Sequence, residues 1–181
     1  MKYLLLLMLS ILFLLTSCSS GDTPKTKAAI PDKTALLADI ENMEAQLKDE
    51  KVKKIDEILA KRYIAKSDDF VKSFPKDTES PILLYKAAEI ARAIGDARSA
   101  VQHFGKMHRE YPEHSNAPTA LFLQAFLFEN SLEDRAEAKK YYNHFTDKYP
   151  DHQLNKQVKQ LLEIIDKSPE EMVKEFKTQT K

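Results

Sequence analysis

The stretch "SPILLYKAAEIARAIGDARSAVQHFGKMHREYP", residues 80–112, decides the fold. Leu83, Ala87, Ile90 and Ile94 follow one another at offsets of four, three and four, the stripe that a 3.6-residue period lays along one helix face. Ser80 reads as an N-cap ahead of Pro81, a residue whose fixed φ suits the first helical position. Gly95-Asp96 interrupts the stripe, as a glycine able to adopt positive φ does at a helix end. A second stripe runs through Ala97, Ala100, Val101, Phe104, Met107 and Tyr111. Pro112 stops it, because proline has no N–H to continue the ladder and crowds the preceding turn. The unit is a helical hairpin closed by Tyr-Pro.

That closure recurs. "MHREYPEHSNAP" at 107–118 is matched by "FTDKYPDH" at 145–152 and more weakly by "VKSFPKD" at 71–77, so that Pro75, Pro112 and Pro150 stand 37 and 38 residues apart. A near-constant period in the range of about 20–50 residues signals stacked supersecondary units. Only 3 glycines, no tryptophan and 31% charged residues in 181 favour long helices over tight-turned sheets. The expected fold is all-α, a hairpin stack within one domain. Lys+Arg and Asp+Glu balance at 28 each, and no basic block carries interleaved aromatics, so nucleic acid is not an expected partner.

Two hairpins cannot bury their own faces, and flanking helices are available to close the stack. Leu36, Ile40, Met43 and Leu47 mark one helix, and Ile55, Leu59, Tyr63, Phe70 and Phe74 a longer one. In this N-terminal hairpin, residues 32–79, Tyr63 and Ser67 stand where a small and an aromatic residue are expected, which makes it a degenerate copy of the units at 80–152. Leu154, Val158, Leu161 and Ile165 form the stripe of a capping helix within 153–181. Ser168-Pro169-Glu170-Glu171 reads as an N-cap, a first-turn proline and a capping-box Glu, opening a short helix with Met172, Val173 and Phe176.

The start of the chain has another character. "LLLLMLSILFLL" at 4–15 follows Lys2 and is shorter than the roughly 20 apolar residues of a spanning helix, so residues 1–17 read as a signal peptide. Leu15-Thr16-Ser17-Cys18 resembles the bacterial lipobox, whose cysteine receives a diacylglycerol before the signal is removed. Cys18 is the sole cysteine, with no disulfide partner in a secreted context. Two or three acyl chains, each methylene contributing about 0.8 kcal/mol when buried, give lasting attachment to the membrane through Cys18. Ser19 rather than Asp after the cysteine suggests, by resemblance to Gram-negative sorting rules, the outer membrane. Residues 18–31 read as the lipidated N-terminus and a flexible tether, whose 13 residues after Cys18, small and polar with two prolines, extend to about 43 Å at most.

At its repeats the sequence resembles the tetratricopeptide repeat, a helix-turn-helix with small residues where its helices cross. Leu84, Ala88, Gly95, Ala100, Phe104 and Pro112 fall on the signature positions of one unit. Leu121, Ala125, Ala138, Tyr142 and Pro150 fall on those of the next, which carries one extra residue in "NSLED". Together with the lipobox and tether, the chain resembles outer-membrane lipoproteins of the BamD type and the periplasmic repeat domain of the Tol-Pal coordinator (YbgF/CpoB), both binding scaffolds. The resemblance implies a partner groove lined by the first helix of each hairpin, at Tyr85, Glu89 and Arg92 and then at Phe122, Phe126, Glu129 and Asn130. Aromatics with both charge signs suit an extended or helical peptide.

The helix "PTALFLQAFLFEN" at 118–130 is apolar nearly all round. It admits two readings: a central helix buried on both sides by its neighbours, or one whose aromatics reach into the groove. Chemistry finds less support. His103, His108, His114, His144 and His152 form no His-x-x-x-His pair or Cys/His cluster; the Tyr-Pro-x-His placement of His114 and His152 points to a structural or solvent-facing role. Asp68-Asp69 and Glu170-Glu171 are sequence neighbours, which diverge on a helix. No phosphate loop, nucleophile motif, metal site or cofactor site is expected. The expected function is a lipid-anchored, non-enzymatic adaptor that binds other envelope proteins or peptide segments facing the periplasm. The alternative is an accessory subunit of an envelope transport or secretion complex, and a more distant one an enzyme or metal protein using the histidines.

Overall fold

The computed structural model describes residues 31–48, 55–168, 170–171 and 173–174. The signal peptide, Cys18, the tether up to residue 30, Met172 and Phe176 lie outside the described residues. Among the described residues seven helices are bounded in order: α1 (Lys33–Leu47), α2 (Glu57–Ser73), α3 (Glu79–Ala93), α4 (Ala97–Glu110), α5 (Ala117–Asn130), α6 (Arg135–Lys148) and α7 (Asn155–Ile164). Each packs on the next, the arrangement of an all-α repeat stack. None of the described helices is long and apolar enough to cross a membrane.

The helix starts share one device. Asp32, Asp56, Asp96 and Asp134 each accept a first-turn N–H on a side-chain oxygen, at 2.9, 2.9, 3.0 and 3.0 Å, satisfying donors that a helix end leaves open. They cap α1, α2, α4 and α6. The helices that follow an aromatic-proline pair are capped otherwise. Phe74, Tyr111 and Tyr149 end the preceding helices at nearly one conformation, φ −130 to −128 and ψ 56 to 59, because the following proline excludes the α region for the residue before it. Three residues on, the N–H of Asp77, His114 or His152 donates back to the aromatic carbonyl at 3.0, 3.1 and 3.2 Å, and a further bond closes the turn at Ser80, Ala117 and Asn155.

Inside that turn Asp77 Oδ1 accepts the Glu79 N–H at 3.0 Å, while Nδ1 of His114 and of His152 accepts the N–H of Asn116 and of Leu154, both at 3.2 Å. The Ser80 N-cap expected from sequence is corrected by this geometry. α3 begins at Glu79, Asp77 supplies the cap, and the buried Ser80 hydroxyl donates to the Phe74 carbonyl at 2.7 Å. Ile55 likewise lies ahead of α2 rather than on its stripe. The capping box does form: Ser168 Oγ accepts the Glu171 N–H at 3.2 Å and Glu171 Oε2 accepts the Ser168 N–H at 2.7 Å.

The turns inside the hairpins differ. Gly95 takes φ +80 between α3 and α4, where a Cβ would meet nothing within 4 Å, so glycine is there for its backbone alone. The longer turn between α5 and α6 assigns the same left-handed region to Glu133, at φ 54, a conformation that costs a non-glycine residue about 1 kcal/mol.

Two cores result. The first runs from Leu36 on α1 to Leu127 on α5, and the second joins Leu121 and Ala125 on α5 to Ala138, Tyr142, Phe145, Val158 and Ile165. α5 enters both, Ala120 and Leu127 on one side and Leu121 and Ala125 on the other. That explains an apolar surface nearly all round. The small residues Ala88, Ala100, Ala125 and Ala138 are all fully buried, so helix backbones approach closely at these crossings.

Candidate functional site

The first helices of the two repeats, α3 and α5, carry the residues expected to form a groove. On α3, Tyr85 is half-buried and sets its ring edge-on to Phe104 at 5.5 Å between centroids. Glu89 and Arg92 form a two-point ion pair, Nη2 to Oε2 at 2.9 Å and Nε to Oε1 at 3.4 Å, which raises the Arg92 pKa. On α5, Phe122 and Phe126 lie 6.1 Å apart, and Phe126 is 39% exposed. Glu129 is engaged within its own hairpin, accepting the Tyr142 hydroxyl at 2.8 Å. Burial first, and Glu129 second, push the Tyr142 pKa upward. Asn130 donates back to the Phe126 carbonyl at 3.1 Å. Tyr85 and Glu89 thus meet at one cavity, Phe122 and Phe126 at one aromatic patch, and Glu129 supports the hairpin rather than offering a free carboxylate.

The cavity, about 250 Å³, lies between α1 and α3. Leu47, Ile55, Tyr85 and Ile90 give it apolar walls, and Glu44, Lys48, Lys86 and Glu89 give it polar ones. Glu44 accepts from Lys48 and, at 2.8 Å, from Lys86. Burial acts to raise its carboxyl pKa, but the two lysines outweigh that and hold it below the usual range. Sequence reasoning missed Glu44, Leu47, Lys48 and Ile55. Their local signals are Leu47 at the end of its helical stripe and Ile55 at the start of the next, and neither stripe marks a site; what brings these residues together is the packing of α1 beside α3.

The histidines are structural at each position where a partner is resolved. His103 on α4 donates Nδ1–H to the Ser99 carbonyl at 2.7 Å and sets Nε2 at 3.1 and 3.2 Å from the Asp68 carboxylate of α2. Burial alone would lower its pKa, but Asp68 and the Ser99 carbonyl raise it, as expected when both ring nitrogens point at acceptors. Ser99 Oγ sits 3.3 Å from Nδ1, so an Asp-His-Ser row exists in outline. It lacks a base, because the Nδ1 proton is directed at the carbonyl and leaves no lone pair for the serine.

His108 is buried and neutral. Its Nε2 donates to Gln124 Oε1 at 3.0 Å, and Gln124 Nε2 donates to the Val101 carbonyl at 3.3 Å, a polar bridge from α4 to α5. Its Nδ1 is buried without a partner, and burial pulls the pKa down to about 4. Gly105 makes room for the bridge, since a Cβ there would stand 2.5 Å from Gln124 Nε2. His144 is exposed with its ring 6.2 Å from His108. Among the described residues no three His, Cys, Asp or Glu side chains converge as a metal site.

Comparison with known families agrees with this architecture. The tetratricopeptide repeat family matches residues 83–114 and 119–152, the two units built by α3–α4 and α5–α6. No curated protein matches the chain.

Proposed function

We propose that this chain, similar over two of its hairpins to tetratricopeptide repeats, is a lipid-anchored adaptor. It is held at the outer membrane through Cys18, faces the periplasm, and binds another envelope protein along its first-helix groove. Repeat stacks of this kind present extended surfaces for other chains, and the observation that carries the reading is the exposed ring of Phe126, beside the partly buried Phe122. Phe126 is 39% exposed on a helix whose other faces enter two cores, where an apolar ring has no structural need to meet water. The envelope placement rests on the sequence alone, on the apolar leader and Leu15-Thr16-Ser17-Cys18. A role beside barrel assembly or the Tol-Pal system follows from the resemblance of repeats, lipobox and tether to those lipoproteins.

Crosslinking in intact cells, followed by purification through a C-terminal tag, identifies the partner. Barrel-assembly or Tol-Pal components are expected, and recovery of a transport or secretion complex instead would favour the accessory-subunit reading. Mass spectrometry of the mature N-terminus checks the anchor: acyl-Cys18 is expected, lost in Cys18→Ala, and any unmodified first residue overturns it. The groove is tested by two neighbouring residues. Ala125→Leu overpacks a buried crossing and costs about 1–3 kcal/mol of stability. Phe126→Ala removes an anchor worth about 2 kcal/mol of binding while folding changes little. A large fall in the melting temperature of Phe126→Ala, with partner recovery unchanged, sinks the groove.

A further inference from the structure

We infer that the outward face of the second helices, α2 and α4 above all, lies on a bilayer surface rich in anionic phospholipid and leaves the first-helix groove turned away from it; this rests on the lipid-anchor reading above. Charge is divided between the two sets of helices. α2, α4 and α6 carry 11 Lys and Arg against 6 Asp and Glu, while α1, α3, α5 and α7 carry 5 against 7, in a chain whose totals balance at 28 each.

The excess is gathered on one side. On α4, Arg98, Gln102, Lys106 and Arg109 follow at offsets of four, four and three, opposite Ala100, Phe104 and Met107 in the core. The equivalent positions are Lys61, Ala65, Asp69 and Lys72 on α2, and Ala136, Lys140, His144 and Asp147 on α6. All of these are exposed except Lys106, which is partly so. The three stripes are neighbours, since Asp68 of α2 meets His103 of α4 at 3.1 Å and the His108 ring of α4 lies 6.2 Å from that of His144 on α6. Lys140 is shared with Glu137. Among the described residues Lys61, Lys72, Arg98, Lys106 and Arg109 form no ion pair, and the acids set among them are Asp69 and Asp147. Cations spread over two helices, about 16 Å along α4 at roughly 1.5 Å per residue, match a plane of many anions rather than a single phosphate group.

Ile58 supplies the second signal. It is 75% exposed, the most open large apolar side chain among the described residues, and stands three residues ahead of Lys61 on the same stripe. An apolar side chain among cations suits a face that settles into lipid headgroups. The adjoining residues 49–54, outside the described ones, hold three lysines against two acids and so do not reverse the charge. Each Lys or Arg near an anionic surface strengthens attachment about fivefold. An anchored chain needs only such weak contacts, because the tether keeps the face at high local concentration.

The chain contains no tryptophan, so Ile58→Trp and Phe126→Trp each introduce a single emitter, one on the proposed face and one in the groove. The mature full chain is reconstituted in phosphatidylcholine vesicles with and without phosphatidylglycerol, and emission is read with brominated lipid as the quencher. Ile58→Trp should be quenched about threefold or more strongly in anionic than in neutral vesicles, and Phe126→Trp weakly in both. The excess should vanish in about 0.5 M salt, and in the triple variant Lys61→Gln, Arg98→Gln, Arg109→Gln built on Ile58→Trp. These four positions are exposed, so the melting curve should stay in place.

Quenching of Ile58→Trp that ignores lipid charge, equal quenching of both emitters, or a triple variant that keeps the excess overturns the inference. Crosslinks from Lys106 to a protein, without lipid-dependent quenching, overturn it too by assigning the face to an acidic partner. Mass spectrometry of the same sample separates this result from the anchor. If acyl-Cys18 is present and the excess is missing, only the face fails. If Cys18 is unmodified, the anchor fails, and the face is judged by co-sedimentation with the anionic vesicles: a fall of about fivefold or more in the triple variant upholds it, and no fall overturns it.

Discussion

The stack has two joints, and they are held by different chemistry. Between the N-terminal hairpin and the first repeat the ties use charged groups, Asp68 with His103 and Glu44 with Lys86, beside a Lys33–Asp77 pair that joins α1 to the turn leading into α3. The Tyr111 hydroxyl adds a bond of 2.7 Å to the Pro75 carbonyl. Between the two repeats the tie is neutral and buried, His108 to Gln124 to the Val101 carbonyl, and the corresponding Tyr149 hydroxyl is buried without a partner. The difference teaches that stacking geometry does not dictate the bonding that holds it. The hairpin on the outer side of the first joint is also packed unlike its neighbours. Tyr63 stands where Ala100 and Ala138 do, and Ser67 where Phe104 and Tyr142 do, yet all six are fully buried. What is kept is the filled volume, not the position of the large side chain.

The largest effect expected from that comparison is on the exchanged pair. Tyr63→Ala should cost about 3–5 kcal/mol through the cavity it leaves, and Ser67→Phe about 1–3 kcal/mol through overpacking. Together they rebuild the arrangement of the repeats, so denaturant unfolding of the double variant should show at least about 1 kcal/mol less destabilisation than the sum. Strict additivity would mean that the two side chains do not share one space.

Acid should next set the joints against each other. The His108 pKa is depressed to about 4, so its contribution is complete above the unfolded value near 6.5 and is lost as pH falls toward 4, up to about 3 kcal/mol. The His103 pKa is raised, so its contribution is complete below about 6.5 and is lost as pH rises through the folded value. Thermal melts from pH 4 to 8 should show His108→Gln flattening the acid limb. Asp68→Asn should cost about 0.5–1 kcal/mol at pH 5.5, a figure kept small because Asp68 is half-exposed, and less at pH 8. Parallel shifts at every pH would refute the assignment of opposite charge states.

The smallest effect concerns the turns at the joints. His114 fills with Nδ1 the role that Asp77 fills with Oδ1. His114→Asp should therefore be close to neutral, and His114→Ala should cost about 0.5–1 kcal/mol. Equal losses in both melts would show that the cap contributes nothing.

Much of this architecture is legible locally. Apolar stripes, Gly95 and the aromatic-proline pairs act within a few residues, and the repeat spacing carries the register that puts Tyr85 and Phe122 on equivalent positions. The reach of that logic ends where partners are distant in sequence. Asp68 and His103 lie 35 residues apart, and Lys86 and Glu44 lie 42 apart; no periodicity announces either pair. Sequence left α5 between a buried and a groove-facing reading, and the division of its surface between two cores with Phe126 still exposed depends on both neighbouring hairpins. Ser80 was misread as a cap because a serine before a proline fits two geometries, and Asp77 had already taken the role.

Each aromatic-proline turn closes its own hydrogen bonds within seven residues, as from Phe74 to Ser80. The seam between units is therefore complete in itself. A segment exchanged between equivalent points of two turns, such as Pro75 and Pro112, carries the cap of its first helix and the stop of its last. Genetic duplication or deletion at these seams changes the stack by whole units, with no helix end stripped of its cap. The 37- and 38-residue spacings keep whole units between successive seams, so the turns mark where this protein can be lengthened or shortened.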